Sequence, residues 1–119
     1  MIQRLGLSST WPDGLRTSAH DVSVLLQYYY RHPEWSEGSW WKFRDSALNQ
    51  AYTYRKGLPS GFSVAKVYNK TGWGGANYND AAMVEFGNGQ KYIVVVMTDG
   101  VGYTALTELG RMLEKMMLK

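Results

Sequence analysis

Lys70-Thr71-Gly72 closes a run, "VYNKTG", that reads as the end of a β-strand. A lysine on an exposed strand edge puts a cation beside unpaired main-chain groups. That combination suits an anionic acyl substrate, because an N–H aimed at a developing oxyanion lowers the barrier to acyl transfer. A nucleophile would have to complete such a site. The chain has no cysteine, which removes thiol nucleophiles, disulfide frameworks and Cys-based zinc sites together. In Ser63-Val64-Ala65-Lys66 a serine and a lysine stand three apart. Both fall in the predicted strand, where residues i and i+3 point to opposite faces, so Lys66 could not activate Ser63. His20 and His32 are twelve residues apart, each near a predicted helix end, and read as solvated or capping residues. Asp80 follows Asn79 at a predicted strand start and reads as a turn-stabilising residue. Tyr28-Tyr29-Tyr30 and Trp40-Trp41 read as core or interface aromatics rather than a stacking surface, and Met112, Met116 and Met117 as packing.

The elements that must position these residues follow from pattern. Residues 1 to 16 read as loop, with turn chemistry at Trp11-Pro12-Asp13-Gly14. Thr17 or Ser18 can cap a first helix, and Ser18 with Asp21 has capping-box spacing. Val22, Leu25, Leu26 and Tyr29 share one face of it, and His32-Pro33 ends it. A second helix is predicted from Ser39 to Tyr54, with Trp41, Leu48, Ala51 and Tyr52 along its stripe, broadened by Trp40, Phe43 and Ala47. Gly57-Leu58-Pro59-Ser60-Gly61 reads as loop. Strands are predicted over Phe62 to Lys70, Asp80 to Phe86 and Lys91 to Thr98, the last two joined by the hairpin signal Gly87-Asn88-Gly89. Short links make neighbours antiparallel, so the sheet is a three-stranded meander. Thr104 can cap a final helix ending near Leu118, with Leu106, Leu109, Leu113, Met116 and Met117 as its apolar stripe. Gly110 interrupts it at a cost of about 1 kcal/mol against Ala, which close approach to the sheet would explain. The third strand, "YIVVVM", does not alternate, as expected of a strand covered on both faces. The fold class is α+β: two N-terminal helices, a three-stranded antiparallel sheet, and a C-terminal helix packed on it, in one domain over residues 1–119.

Several segments, in order, resemble the C-terminal part of the serine β-lactamase and penicillin-binding-protein superfamily, nearest its class-A-like members. "LGLSSTWPDG" with "TSAHDVSVLLQYY" resembles the loop and helix after the family's Ser-Xaa-Asn motif. "GLPSGFSVAKVYNKTGW" resembles the strand leading to its Lys-Thr-Gly, "NYNDAAMVEFGNGQKYIVVVMTDG" the hairpin that follows, and "LTELGRMLEKMM" the closing helix. The resemblance implies that Lys70 adds positive charge beside a nucleophile and helps shuttle protons. It implies that the Thr71 hydroxyl binds the substrate carboxylate, that Gly72 lets substrate lie against the strand, and that the Trp73 N–H is one of two oxyanion donors. It also implies a nucleophile in a Ser-Xaa-Xaa-Lys motif far upstream of the triplet, and the chain as given is expected to begin too late to contain that motif. Ser46-Ala47-Leu48-Asn49 has the wrong spacing for Ser-Xaa-Asn, and the deacylating glutamate has no counterpart.

The expectation is a truncated, non-catalytic relative that retains an anion or β-lactam-like ligand site at Lys70 and Thr71. Its alternatives are a serine hydrolase completed by another chain or a longer precursor, and a plain interaction module. In the resembled family the sheet has further strands, so an edge here is left unpaired. An unpaired edge is a liability that proteins cover, and a homo-oligomer is expected.

The remaining numbers bound the partners. The chain has 119 residues, 45% hydrophobic, 19% charged and 14% aromatic, with a net charge of +3. Its thirteen Lys and Arg are scattered, without the basic stripe of a nucleic-acid footprint. The N-terminus has no apolar h-region of a signal peptide, and the run Tyr92 to Met97 is too short to span a bilayer. The reading is a cytoplasmic location for the chain as written, with no membrane, metal or cofactor.

Overall fold

The computed structural model describes residues 5–11, 16–31, 46–50, 54–74 and 77–118. Their order is helix α1 (Ala19–Arg31), a 3₁₀ turn (Leu58–Gly61), strands β1 (Lys66–Gly74), β2 (Asn77–Glu85) and β3 (Lys91–Val96), and helix α2 (Tyr103–Met117). The three strands form one antiparallel sheet in the order β1-β2-β3. The α+β class and the meander are therefore as expected.

Side chains alternate between two faces of the sheet. Val67, Ala82 and Val84 face Leu58 of the 3₁₀ turn and Leu113 and Met117 of α2, and Phe86, just past the end of β2, joins the same cluster. Tyr68 and Met83 face Ala47, Tyr30 and Ile93 on the α1 side. The non-alternating third strand has the explanation expected of it, although its side chains are half-buried rather than buried, apart from exposed Lys91. β3 lies at an edge of the sheet, and an edge strand between two helices cannot be enclosed all round.

Helix α1 begins as its sequence predicts: the Asp21 N–H donates to the Ser18 hydroxyl at 3.1 Å. The Asp21 side chain does not close a reciprocal capping box. It is buried and accepts from the Ser9 N–H and the Thr10 hydroxyl, each at 2.7 Å. It thus ties down the N-terminal segment, and the bridge between Trp11 and Arg16 closes the next loop. The hydroxyl bond from Thr10, with those from Ser9 and His20, holds the Asp21 carboxyl below its ordinary value against the cost of burial. Leu25 is exposed, so the predicted apolar face is narrower than its spacing suggests.

Several boundaries differ from expectation. The predicted second helix, with Trp40 and Trp41, falls largely outside the described residues, and so does His32 at the predicted end of the first. Residues 46–48 are helical but 49 and 50 are not, so no helix continues to Tyr54. Leu58–Gly61 is a 3₁₀ turn rather than plain loop, with Pro59 supplying its fixed φ. β1 starts at Lys66 and runs to Gly74, and β2 starts at Asn77. The triplet is therefore inside a strand, not at its end, because Trp73 and Tyr78 pair across the strands and extend the ladder. Thr104 does not cap α2; Gly102 occupies the N-cap without a side-chain bond. Met112 and Met116 are exposed, while Leu106, Leu113 and Met117 pack inward.

Gly110 does mark a close approach, but to the 3₁₀ turn rather than the sheet. A Cβ there would sit 2.6 Å from the Leu58 carbonyl oxygen, and one on Gly61 would sit 2.1 Å from that of Thr107. Two glycines facing each other let α2 cross the turn at backbone contact. The β2–β3 hairpin is the predicted one: Gly89 adopts φ +90° and its N–H donates to the Phe86 carbonyl.

Candidate functional site

β1 is an edge strand, so half of its main-chain groups face away from the sheet. Tyr78 tells which half. Its N–H donates to the Thr98 hydroxyl at 3.1 Å, and its carbonyl accepts from that same hydroxyl at 2.5 Å. Both groups thus point toward β3. Opposed residues in an antiparallel pair direct their main-chain groups alike, either at each other or both away. Trp73, paired with Tyr78, must turn its N–H and carbonyl outward, and so must Thr71, Asn69 and Val67.

These outward groups are treated differently along the strand. The Val67 carbonyl accepts from Arg55 Nη1 at 2.9 Å, and that of Asn69 accepts from Gln50 Nε2 at 2.9 Å. The Thr71 carbonyl accepts from Lys70 Nζ at 2.6 Å. Among the described residues no acceptor is bonded to the outward Trp73 N–H.

The side chains of the triplet diverge as a strand requires. Lys70 is exposed, with its ammonium folded back on the strand and no carboxylate paired to it among the described residues. Thr71 is buried on the opposite face, where its hydroxyl donates to the Asn79 carbonyl at 3.1 Å. Gly72 is exposed and a Cβ there would meet nothing. The Trp73 indole, on the Thr71 face, is half exposed and stacks on Tyr78 with centroids 6.0 Å apart.

Beneath β1 lies a polar network that sequence reading missed. Asn69 donates to Asp80 Oδ1 at 2.8 Å and to the Tyr54 carbonyl at 2.9 Å, and accepts from Arg55 Nη1 at 3.2 Å. Asp80 Oδ2 accepts from the Leu58 N–H at 2.9 Å. Asp80 is thus no turn residue at a strand start. It is buried inside β2 and joins the sheet to the 3₁₀ turn. Burial pushes its carboxyl up, opposed by bonds from Asn69 and Leu58, the nearby Thr71 hydroxyl and the charge of Arg55. Burial likewise pulls the Arg55 guanidinium down, countered by Asp80. The signal available beforehand was Asn69 at a core-facing position between Val67 and Thr71.

Ser63 is not on a strand, so the opposite-faces argument does not apply to it. It lies in the bend before β1, and its hydroxyl donates to Glu114 Oε1 at 2.7 Å. The same carboxylate accepts from the N–H groups of Ser63 and Val64. Burial pushes Glu114 up, but these bonds together, with one from Ala65, hold it below its ordinary value. Ser63 therefore anchors the entry to β1. Among the described residues no serine hydroxyl is bonded to a lysine, and no group of three His, Cys, Asp or Glu side chains could hold a metal. No helix among them is long and apolar enough to cross a membrane. His20 is exposed, its ring 3.5 Å from Asp21.

The family model described as the beta-lactamase enzyme family matches residues 2–115. The chain belongs to that family. No curated protein matches significantly. Among solved structures, the beta-lactamase-family chain is similar to PBP-A at 26% identity and a TM-score of 0.78, covering 97% of this chain and 48% of that one. It is also similar to a PBP-A variant solved as an acyl-enzyme complex with penicillin-G, at 25% identity and a TM-score of 0.80, again over 97% and 48%. The TLA-3 extended-spectrum beta-lactamase shares the fold at 17% identity and a TM-score of 0.80, over 99% of this chain and 53% of that one. The chain thus spans about half the length of each.

Proposed function

We propose that this chain forms the substrate-facing wall of a serine acyl-transfer site, and that by itself it binds an anionic acyl ligand without turning it over. The observation that carries this is the open stretch of β1, where the outward Trp73 N–H lies on the same edge as Lys70. A ligand carbonyl laid along that edge has a fixed donor at the position where oxyanion charge develops. The Lys70 ammonium, unpaired with any described carboxylate, supplies the charge that attracts a ligand carboxylate. Gly72 leaves the strand surface bare between them. The Thr71 hydroxyl reaches a ligand only by leaving Asn79.

The chemical step needs an activated nucleophile, and no described serine has a lysine beside it. On this reading a Ser-Xaa-Xaa-Lys segment from another chain or a longer precursor turns the wall into a hydrolase of β-lactams or peptidoglycan-type peptides. Incubation with a chromogenic β-lactam tests this. The expected result is saturable binding, weakened by Lys70→Ala, with no adduct by intact-mass measurement. A stoichiometric acyl adduct abolished by mutating one serine refutes it.

A second feature favours self-association. The ladder phase set by Tyr78 makes Asp80 and Val96 a bonded pair, so Ile93 and Val95 turn their main-chain groups to the outer edge of β3. A half-buried edge with no strand partner among the described residues invites another strand, and we assign a homo-oligomer to it. A clean monomer by light scattering at micromolar concentration rules this out.

A further inference from the structure

On the face of the sheet opposite Lys70 the structure holds a second concavity, of about 410 Å³, where the β1–β2 end meets the start of α2. Its walls are the rings of Trp73, Tyr78 and Tyr103, and Lys56 and Asn77 stand at its rim. The rings form a ladder: Trp73 to Tyr78 is 6.0 Å between centroids and nearly parallel, and Tyr78 to Tyr103 is 6.1 Å. Trp73 and Tyr103 are about half exposed, at 50% and 41%, although each has a neighbouring ring to pack against. The Lys56 ammonium sits 4.4 Å above the Tyr103 ring. Among the described residues no carboxylate lines the cavity, and the nearest acid at the rim, Asp99, is taken up by the Asn77 amide.

We propose that this cavity is a binding site for a small planar aromatic anion, an aromatic carboxylate in the simplest case. Its size is that of a small-molecule pocket. Facing aromatic walls favour a flat ring that stacks offset or edge-to-face. Lys56, the cation among the described lining residues, selects a negative substituent on that ring, and its seat over Tyr103 holds it at the cavity mouth. A sugar fits less well, because it needs several polar partners and the lining offers few. Lys56 and Asn77 are the charged and amide side chains there. With its nitrogen turned to the acceptors, the Asn77 amide already donates to the Thr98 carbonyl and to Asp99. The site does not depend on acyl transfer: it uses the Trp73 indole on one face, whereas the acyl site uses the Trp73 N–H and Lys70 at the edge and on the other.

Calorimetric titration of the chain with 2-naphthoate tests the proposal, with amide and indole N–H chemical shifts recorded alongside. Saturable binding is expected, with shifts at the Trp73 indole and Gly102. Lys56→Met keeps the aliphatic stem and removes the charge, so affinity should fall at least about fivefold. Neutral 2-naphthylmethanol should bind the unaltered chain more weakly by a similar factor. Lys70→Ala should leave naphthoate binding unchanged, which separates this site from the acyl wall. The proposal is overturned by no saturable binding, by equal affinity for naphthoate and naphthylmethanol, by loss on Lys70→Ala rather than Lys56→Met, or by preferential binding of an N-acetylglucosamine oligosaccharide.

Discussion

Along the outer edge of β1, Val67 and Asn69 turn their carbonyls to Arg55 and Gln50, whereas nothing among the described residues accepts from the outward Trp73 N–H. Both stretches belong to one strand with one neighbour. The first is fixed from every side: Glu114 caps the bend that feeds it, and Asn69 locks Arg55 and Asp80 beneath it. The second has a bare glycine, an exposed lysine and an outward donor with no acceptor among the described residues. The closed half can hold the open half in a defined place, because an edge strand whose first residues are bonded on both sides cannot slide. An open main-chain edge is useful to a ligand only if its position is fixed before binding.

The contrast is most easily broken in the closed half. Asn69→Leu removes a donor to Asp80 and an acceptor for Arg55, leaving buried charge short of partners. The expected loss is roughly 3 kcal/mol, read from the urea midpoint with the slope unchanged. A loss under about 1 kcal/mol would mean the network is incidental. Glu114→Gln should cost less, roughly 1–2 kcal/mol at neutral pH, since one acceptor oxygen survives.

The pH dependence carries a sign. Glu114 is held below the ordinary carboxylate range, so its contribution is whole above that range and is lost as pH falls through the depressed folded value. The gap between the parent chain and Glu114→Gln should therefore shrink between about pH 7 and pH 3. Asp80, pushed up by burial, has the opposite sign: its contribution is whole below the ordinary aspartate range and is lost as pH rises through the raised folded value. A gap that widens toward acid contradicts the assignment to Glu114.

The open half should respond in function rather than stability. Gly72→Ala meets no atom and relieves the strand of a flexible residue, so a gain of up to about 0.5–1 kcal/mol is expected. It should nonetheless weaken binding of a β-lactam probe, because the methyl stands on the strand surface. A net destabilisation would show that this stretch is packed after all. Smallest of all, Lys70→Ala should change stability by under about 0.5 kcal/mol while reducing affinity for anionic acyl ligands. Unchanged binding would make Lys70 a surface lysine.

Much of this was legible in the residues. The helix start at Ser18, the Gly89 turn and the three strands follow from local signals whose physics is short-ranged. The strand bounds were less so: a Gly- and Asn-rich stretch reads as a turn, but Trp73 and Tyr78 pair across it and carry the ladder on. Asp80 reads as a turn residue and Glu114 carries no signal of its own, because nothing local distinguishes an acid whose partners are 11 and 51 positions away. The Ser63 hydroxyl illustrates the same limit. Its spacing from Lys66 posed a chemical question that only the distant carboxylate of Glu114 answers.

The sequence by itself determined the order of the elements, the alternation of Lys70 and Thr71 to opposite faces, and the family whose pattern those segments match. Those properties depend on periodicity and on residues close in the chain. The tertiary structure decided which main-chain groups of β1 face the outer edge, that Arg55, Asn69 and Asp80 meet, and that the Trp73 N–H turns outward while its indole stacks on Tyr78. Ladder phase and long-range side-chain contacts set these, and both exist only once the strands have paired and the turn at Leu58–Gly61 has docked on α2.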